Sequence, residues 1–222
     1  MVLAEQITIK ELFDCRVSYL QPLLNKHTYP WQVLPELKGY IRQLINEGLE
    51  GFTEIAPGVL VGQNVKIAAT ATIEGPAIIG HNTEIRPGAY LRGAVITGPD
   101  CVLGNSSEFK NCLLMEHVQA PHYNYVGDSV LGNFSHLGAG SICSNLKSDG
   151  KNVVVRGKES YETGLRKLGG IVGDHGDVGC SCVLNPGTVI GQNTSVYPMT
   201  ALRGVYPSSC IVKATKEIVE RI

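Results

Sequence analysis

Cut every six residues from Ile55, the sequence reads IAPGVL VGQNVK IAATAT IEGPAI IGHNTE IRPGAY LRGAVI TGPDCV LGNSSE FKNCLL MEHVQA PHYNYV (55–126). The first positions of these twelve hexads are Ile55, Val61, Ile67, Ile73, Ile79, Ile85, Leu91, Thr97, Leu103, Phe109, Met115 and Pro121, and ten are large and apolar. The fifth positions are mostly small, from Val59, Val65 and Ala71 to Cys101 and Ser107. One residue then drops out, and the phase resumes at Leu131, Leu137 and Cys143. A second block runs Val172, Val178, Leu184, Ile190, Val196, Leu202. Neither the helical period nor strand alternation gives a spacing of six. A six-residue unit cannot bury its own apolar residue, so it must stack on copies of itself. Three hexads make one triangular coil, with the large residue pointing inward and Gly, Asn and Asp at the turns. The sequence therefore predicts an all-β solenoid, a parallel β-helix over residues 55–212.

Two regions lack the hexad. In residues 1–54, Leu37, Ile41, Leu44 and Ile45 share one helical face, and Gly48 can end that helix. This helical N-terminal segment is expected either to cap the open end of the solenoid or to form a partner-binding arm. Residues 144–171 are a polar, charged insertion, and a loop that long inside a repeat is usually functional. A short C-terminal helix is expected over residues 213–222.

Composition narrows the function classes. The 222 residues carry a formal net charge of −1, so no basic surface argues for nucleic acid. No apolar run has the length of a membrane helix, and the start of the chain lacks the pattern of a signal peptide. Seven scattered cysteines suit a reducing compartment, so a cytoplasmic protein is expected.

At APHYNYVGD (120–128) and LGAGSICSN (137–145), the sequence resembles the acetyltransferase domain of bifunctional sugar-1-phosphate nucleotidylyltransferase/acetyltransferases, the glucosamine-1-phosphate N-acetyltransferase type. IRPGAYLRG (85–93), GNSSEFKN (104–111) and the insertion belong to the same likeness, which spans roughly residues 55–210. The resemblance implies a left-handed coil, an exception to the right-handed crossover rule. It also implies a homotrimer, acetyl-CoA as co-substrate with no tightly bound metal, and an amino-sugar phosphate as acceptor. His122 is then the general base that deprotonates the attacking amine, the usual work of histidine near neutral pH. Tyr125 and Asn145 carry over as substrate contacts, Arg86 and Lys110 as phosphate binders, Lys151 as a loop cation, and Cys180 as a cofactor contact. A separate nucleotidylyltransferase is a candidate partner, because this chain shows no nucleotidylyltransferase half. Departures from the family pattern stand at Val154, Cys180 and His136.

Coil arithmetic adds two expectations. Arg86, Gly104 and His122, spaced by eighteen, should share a column, and Arg92 and Lys110 should stack in adjacent coils about 5 Å apart. Two other readings compete. His81, His117 and His122 are spaced like the zinc histidines of γ-class carbonic anhydrases, though within one chain two coils separate the first pair, too far for bonds of about 2.0–2.1 Å. A non-catalytic scaffold or regulatory trimer is the other, since a fold alone never establishes activity.

Overall fold

The computed structural model describes residues 5–214 and 217–220. It is a parallel β-solenoid whose coils have three walls. The first wall runs from Lys66–Ile67 through Glu84–Ile85, Val102–Asn105, Gln119–His122, His136–Leu137 and Asp177–Val178 to Ser195–Val196. The second runs from Thr72–Ile73 through the first halves of Tyr90–Thr97 and Glu108–Leu114 to Tyr125–Gly127, Ile142–Cys143, Val183–Leu184 and Ala201–Leu202. The third runs from Val59–Val61 and Ala77–Ile79 through the second halves of those two long strands to Val130–Leu131, Gly170–Val172, Thr188–Ile190 and Val205–Tyr206.

Inside the triangle, Ile79, Ile85, Leu91, Leu103, Phe109, Leu131, Leu137, Cys143, Val172, Leu184 and Leu202 form one buried cluster, as the hexads predict. The corner joining the third wall to the first is a column of left-handed residues: Asn64, Asn82, Asp100, His117, Phe134, His175, Asn193 and Ser209, with φ from 52° to 59°. Asn, Asp and His tolerate this conformation, whereas a phenylalanine such as Phe134 is uncommon there. The rings of His117, Phe134 and His175 stack on one another at 4.5 and 5.0 Å, a contact that runs along the strained turns.

The coil length is not constant. Leu91 pairs with Phe109, eighteen residues on, but Thr97 pairs with Leu114 and Leu103 with Ala120, one residue short of that. The trimmed position lies at Asn111, a tight left-handed corner. The inward series therefore continues through Leu114, Ala120 and Val126, not Met115 and Pro121, and Met115 packs outside the triangle. The slip is invisible by composition because Met115 is as apolar as Leu114.

The N-terminal segment forms short helices Ile9–Leu12 and Gln21–Asn25, a 3-10 turn Pro30–Val33 and the helix Leu34–Glu47. Thr8 and Glu11 close the first with a reciprocal capping box. Leu37, Ile41 and Leu44 are buried, and Gly48 ends the last helix at φ 76°, both as expected. The expected cap over the solenoid end is not observed: Ile55 and Ile67 at that end remain 51% and 38% exposed. The segment lies instead along the outside of the third wall. There Leu60, Ile78, Ile96, Leu113, Val130, Ile171 and Val189 form an outward apolar column, buried under Leu12, Leu24, Trp31, Leu37 and Ile41. Sheets covered on both faces read as continuous apolar runs, and this wall does. Asp174, 5% exposed, fastens the two layers, accepting from the backbone N–H of Asp14 and of Asn133, both at 2.7 Å.

Two further expectations change. In the described part of residues 213–222 the chain is not helical. Cys210–Ala214 stacks on Ser195–Val196 and pairs antiparallel with Glu217–Glu220, because the last open edge offers a ladder that β-branched Ile211, Val212, Ile218 and Val219 suit. The insertion leaves the corner between the second and third walls and contains a hairpin, Val154–Arg156 with Ser160–Glu162. Val153, Val155 and Leu168 bury into the outer apolar layer, and Tyr161 meets the stacked rings of Tyr29 and Trp31.

Candidate functional site

One corner brings together three of the polar residues that the sequence singles out, Lys110, Tyr125 and Asn145. Arg92 and Lys110 are ladder partners in the second wall, and Gly127 follows in the next coil. Asp128 turns the corner at φ 47° and is only 6% exposed. Its carboxylate accepts from Lys110 Nζ at 3.2 Å, from Asn111 Nδ2 at 2.8 Å and from Asn145 Nδ2 at 2.5 Å. Asn145 also reaches the Tyr125 hydroxyl at 3.2 Å. Arg92 holds Glu108 at 2.6 Å, and Glu108 is the ladder partner of Tyr125. Burial, then the nearby carboxylates of Glu108 and Asp128, push the Tyr125 hydroxyl up from its ordinary value. This hydroxyl is therefore kept as a neutral donor.

The cluster has room because of one glycine. A Cβ on Gly127 would lie 2.5 Å from the Tyr125 hydroxyl oxygen and 2.8 Å from Asn145 Nδ2. The insertion is stitched to the same corner, with Gly169 N–H donating to the Asp128 carbonyl and Leu168 N–H to that of Asn145. The sequence motif that contains Asp128 was legible, but its place as the acceptor that binds three side chains was not. A carboxylate gathering Lys and two Asn is a preorganised polar network whose geometry is fixed by packing.

Lys110, Tyr125 and Asn145 thus come together, and Arg86 does not join them. Arg86 sits in the first wall, 3.4 Å from the Glu84 carboxylate. The cation beside Lys110 is Arg92, because both are second-wall residues one coil apart. The expected column of Arg86, Gly104 and His122 also fails. Asn105 pairs with His122, so the shortened coil sets Gly104 opposite Pro121. His122 is exposed at the end of the first wall, and its ring has no hydrogen-bond partner among the described residues. The column through His122 continues to Ala139 and Cys180, since Gly140 N–H donates to the His122 carbonyl and Ser181 N–H to that of Ala139. Cys180 is exposed there, about two ladder steps or roughly 10 Å from His122. Lys151 is exposed on the insertion, its backbone N–H bound to Asp149 at 3.0 Å.

The histidines of the zinc reading are dispersed. His81 accepts from the Gln63 N–H at 2.8 Å through Nδ1 and packs on Phe52, while His117 lies 3.7 Å from Asp100 in a different corner column. Among the described residues, no three side chains of metal-binding type converge. His136, at a family departure, pairs with Asp177 at 2.9 Å. Among the described residues, no helix is long and apolar enough to cross a membrane.

The family model of the GMPPB C-terminal domain matches residues 73–161. The bifunctional protein GlmU of Methanococcus vannielii is 32% identical over 194 residues, covering 85% of this chain and 47% of that protein. The bifunctional sugar-1-phosphate nucleotidylyltransferase/acetyltransferase of Sulfurisphaera tokodaii is 35% identical over 174 residues, covering 76% and 43%. The chain is a relative of the bifunctional sugar-1-phosphate nucleotidylyltransferase/acetyltransferases. It spans about half the length of these curated relatives. Among solved structures, a hexapeptide transferase family protein from Anaplasma phagocytophilum is similar at 17% identity and a TM-score of 0.42, covering 74% of this chain and 81% of that one. So is a point mutant of AntD, an N-acyltransferase from Bacillus cereus, at 19% and 0.42, covering 81% and 88%.

Proposed function

We propose that this chain is an acetyl-CoA-dependent N-acetyltransferase acting on an amino-sugar phosphate, of the glucosamine 1-phosphate kind. The observation that carries the reading is the convergence of Lys110, Asn145 and, through Asn145, Tyr125 on Asp128, with Arg92 one coil from Lys110, in a chain related to nucleotidylyltransferase/acetyltransferases. Lys110 and Arg92 would grip the acceptor phosphate, each now balanced by a carboxylate that the anion would displace or share. Tyr125 and Asn145 would orient the sugar ring. Lys151 would close from the insertion.

His122 takes the proton from the amine as nitrogen attacks the thioester carbonyl. The tetrahedral oxyanion then collapses, and the CoA thiolate leaves and is protonated. Within one chain, His122 and Asp128 stand at opposite edges of the second wall, about six strand residues or roughly 20 Å apart. A productive site therefore joins the His122 edge of one subunit to the Lys110 edge of its neighbour, which cyclic packing of three copies through the second wall would achieve. Acetyl-CoA would lie along the His122 edge, past Ala139 and Cys180, where the exposed column leaves it room.

The test is release of free thiol from acetyl-CoA across a panel of amino-sugar phosphates. General-base assistance is typically worth about 10²–10⁴-fold, so His122→Ala should lower kcat by that order with little change in acetyl-CoA affinity. Lys110→Ala and Arg92→Ala should act on the acceptor KM, since a phosphate grip is largely uniform binding. Full turnover by His122→Ala would remove the base from this account, and a wild-type chain inert toward every acceptor would favour a non-catalytic scaffold.

A further inference from the structure

The ladder column that carries Arg92, Lys110 and Gly127 continues through Ser144 and Asn185 to Arg203, by the pairings of Val126 with Cys143, Cys143 with Leu184 and Leu184 with Leu202. Beyond Asn145 it opens into a groove of about 420 Å³. Ser144, Asn185 and Arg203 form its floor, and Lys147, Asp149 and Arg156 of the insertion form its side. That volume is within the range of small-molecule sites.

The charge in this groove is one-sided. Its carboxylate, Asp149, is already held by Lys147 Nζ at 3.1 Å and by the Lys151 N–H. Arg156 and Arg203 are exposed, and neither has a carboxylate partner among the described residues. Two free guanidiniums facing one groove from different elements are arranged for an anion with several oxygens, which they can grip bidentately. Leu146, 43% exposed, lines the same groove and offers an apolar surface. The hairpin is held in place rather than free. Val153 lies over Gly187, Arg156 lies over Gly204, where a side chain would collide with them, and Tyr161 is packed against Tyr29 and Trp31.

Ser144 is two ladder steps from Lys110, about 10 Å. A sugar 1-phosphate held at Lys110 leaves this groove empty. A second phosphate and a nucleoside, joined to the first phosphate, extend into it. We propose that the acceptor is a nucleoside-diphosphate amino sugar, whose distal phosphate binds Arg156 and Arg203 and whose base lies on Leu146. The inference rests on the acceptor reading of the Lys110 corner and specifies its substrate class. The ADP portion of CoA has the same chemistry, and in a shared site the neighbour's His122 and Cys180 edge faces this corner, so the response of CoA binding to the same substitutions separates the two.

The test is equilibrium binding by calorimetry of ADP, GDP, UDP, dTDP, glucosamine 1-phosphate and CoA, which needs no turnover. At least one nucleoside diphosphate should bind the wild-type chain. Arg156→Ala and Arg203→Ala should each weaken it about ten- to a hundredfold, the worth of one charged hydrogen-bonding contact. Glucosamine 1-phosphate and CoA should bind both variants as they bind the wild type. Both positions are exposed, so an unchanged melting temperature serves as the folding control. Absence of any nucleoside diphosphate binding overturns the proposal, and so does equal weakening of CoA, which would assign the groove to the donor. If glucosamine 1-phosphate is acetylated while no nucleoside diphosphate binds, the acceptor reading stands and this one falls.

Discussion

Ile78 tests how the two layers of the protein depend on each other. By its hexad position it should face solvent, yet it is fully buried between the third wall and the N-terminal helices, as Ile79 is within the triangle. Replacing Ile78 with Ala removes three carbons, worth roughly 0.8 kcal/mol each as transferred area, or about 2.4 kcal/mol. The cavity adds to that where the surroundings cannot collapse, so a total of about 2–5 kcal/mol is expected. Rigid strands below and packed helices above leave little room for collapse, so Ile78→Ala should cost about as much as Ile79→Ala. Urea unfolding of the two variants, followed by far-UV circular dichroism, gives both numbers. A cost for Ile78→Ala within about 0.5 kcal/mol of zero, as for an ordinary surface change, would refute the continuous outer layer.

Other perturbations bear on the polar corner and the thiols. Gly127→Ala puts a methyl group 2.5 Å from the Tyr125 hydroxyl, so it should impair acceptor use far more than it lowers the melting temperature. Asp174→Ala strands the N–H groups of Asp14 and Asn133, and should destabilise by on the order of 3 kcal/mol and make residues 5–20 more sensitive to protease. Burial pushes the Asp174 carboxyl up, so its protonated form favours folding. Its contribution to stability is greatest below the ordinary carboxylate value and falls as pH rises through the raised one, and Asp174→Asn should flatten that part of the profile relative to wild type. Thiol labelling near neutral pH should modify Cys180 at once, while burial pushes the Cys101 thiol up to about 12 and the Cys143 thiol up to about 11, so both should react only on unfolding.

The inward column of the solenoid was legible because a period of six leaves one large apolar residue per wall. The outward column was equally present in the sequence, as Leu60, Ile78, Ile96, Val130 and Ile171, each next to an inward residue. Read as single exposed positions, these residues gave no signal. As apolar pairs recurring every third hexad, they mark a wall covered on both faces. The shortened coils were hidden because trimming a corner residue exchanges Met115 for Leu114 without changing polarity. The slip also moved one member of the expected site. Arg92 stands beside Lys110 as their spacing of eighteen predicts, whereas the slip carries His122 out of the column of Arg86 and Gly104. Tyr125 and Asn145 were readable from their motifs. Asp128, which holds them, became visible only when three donors were seen to converge on it.

The central claim is an acetyl-transfer site built from the His122 edge of one subunit and the Lys110 edge of another. It is tested most directly by complementation: His122→Ala and Lys110→Ala chains are assayed for acetyl-CoA turnover separately, then after co-expression and mixed assembly. With the acceptor held well below the raised KM of the Lys110→Ala chain, each alone should be nearly inactive on an amino-sugar phosphate that the wild type acetylates. The mixture should recover up to about a quarter of wild-type turnover, the share of interfaces in a random cyclic assembly that join two intact halves. Recovery to that level supports a shared site, and a mixture no more active than its components contradicts it.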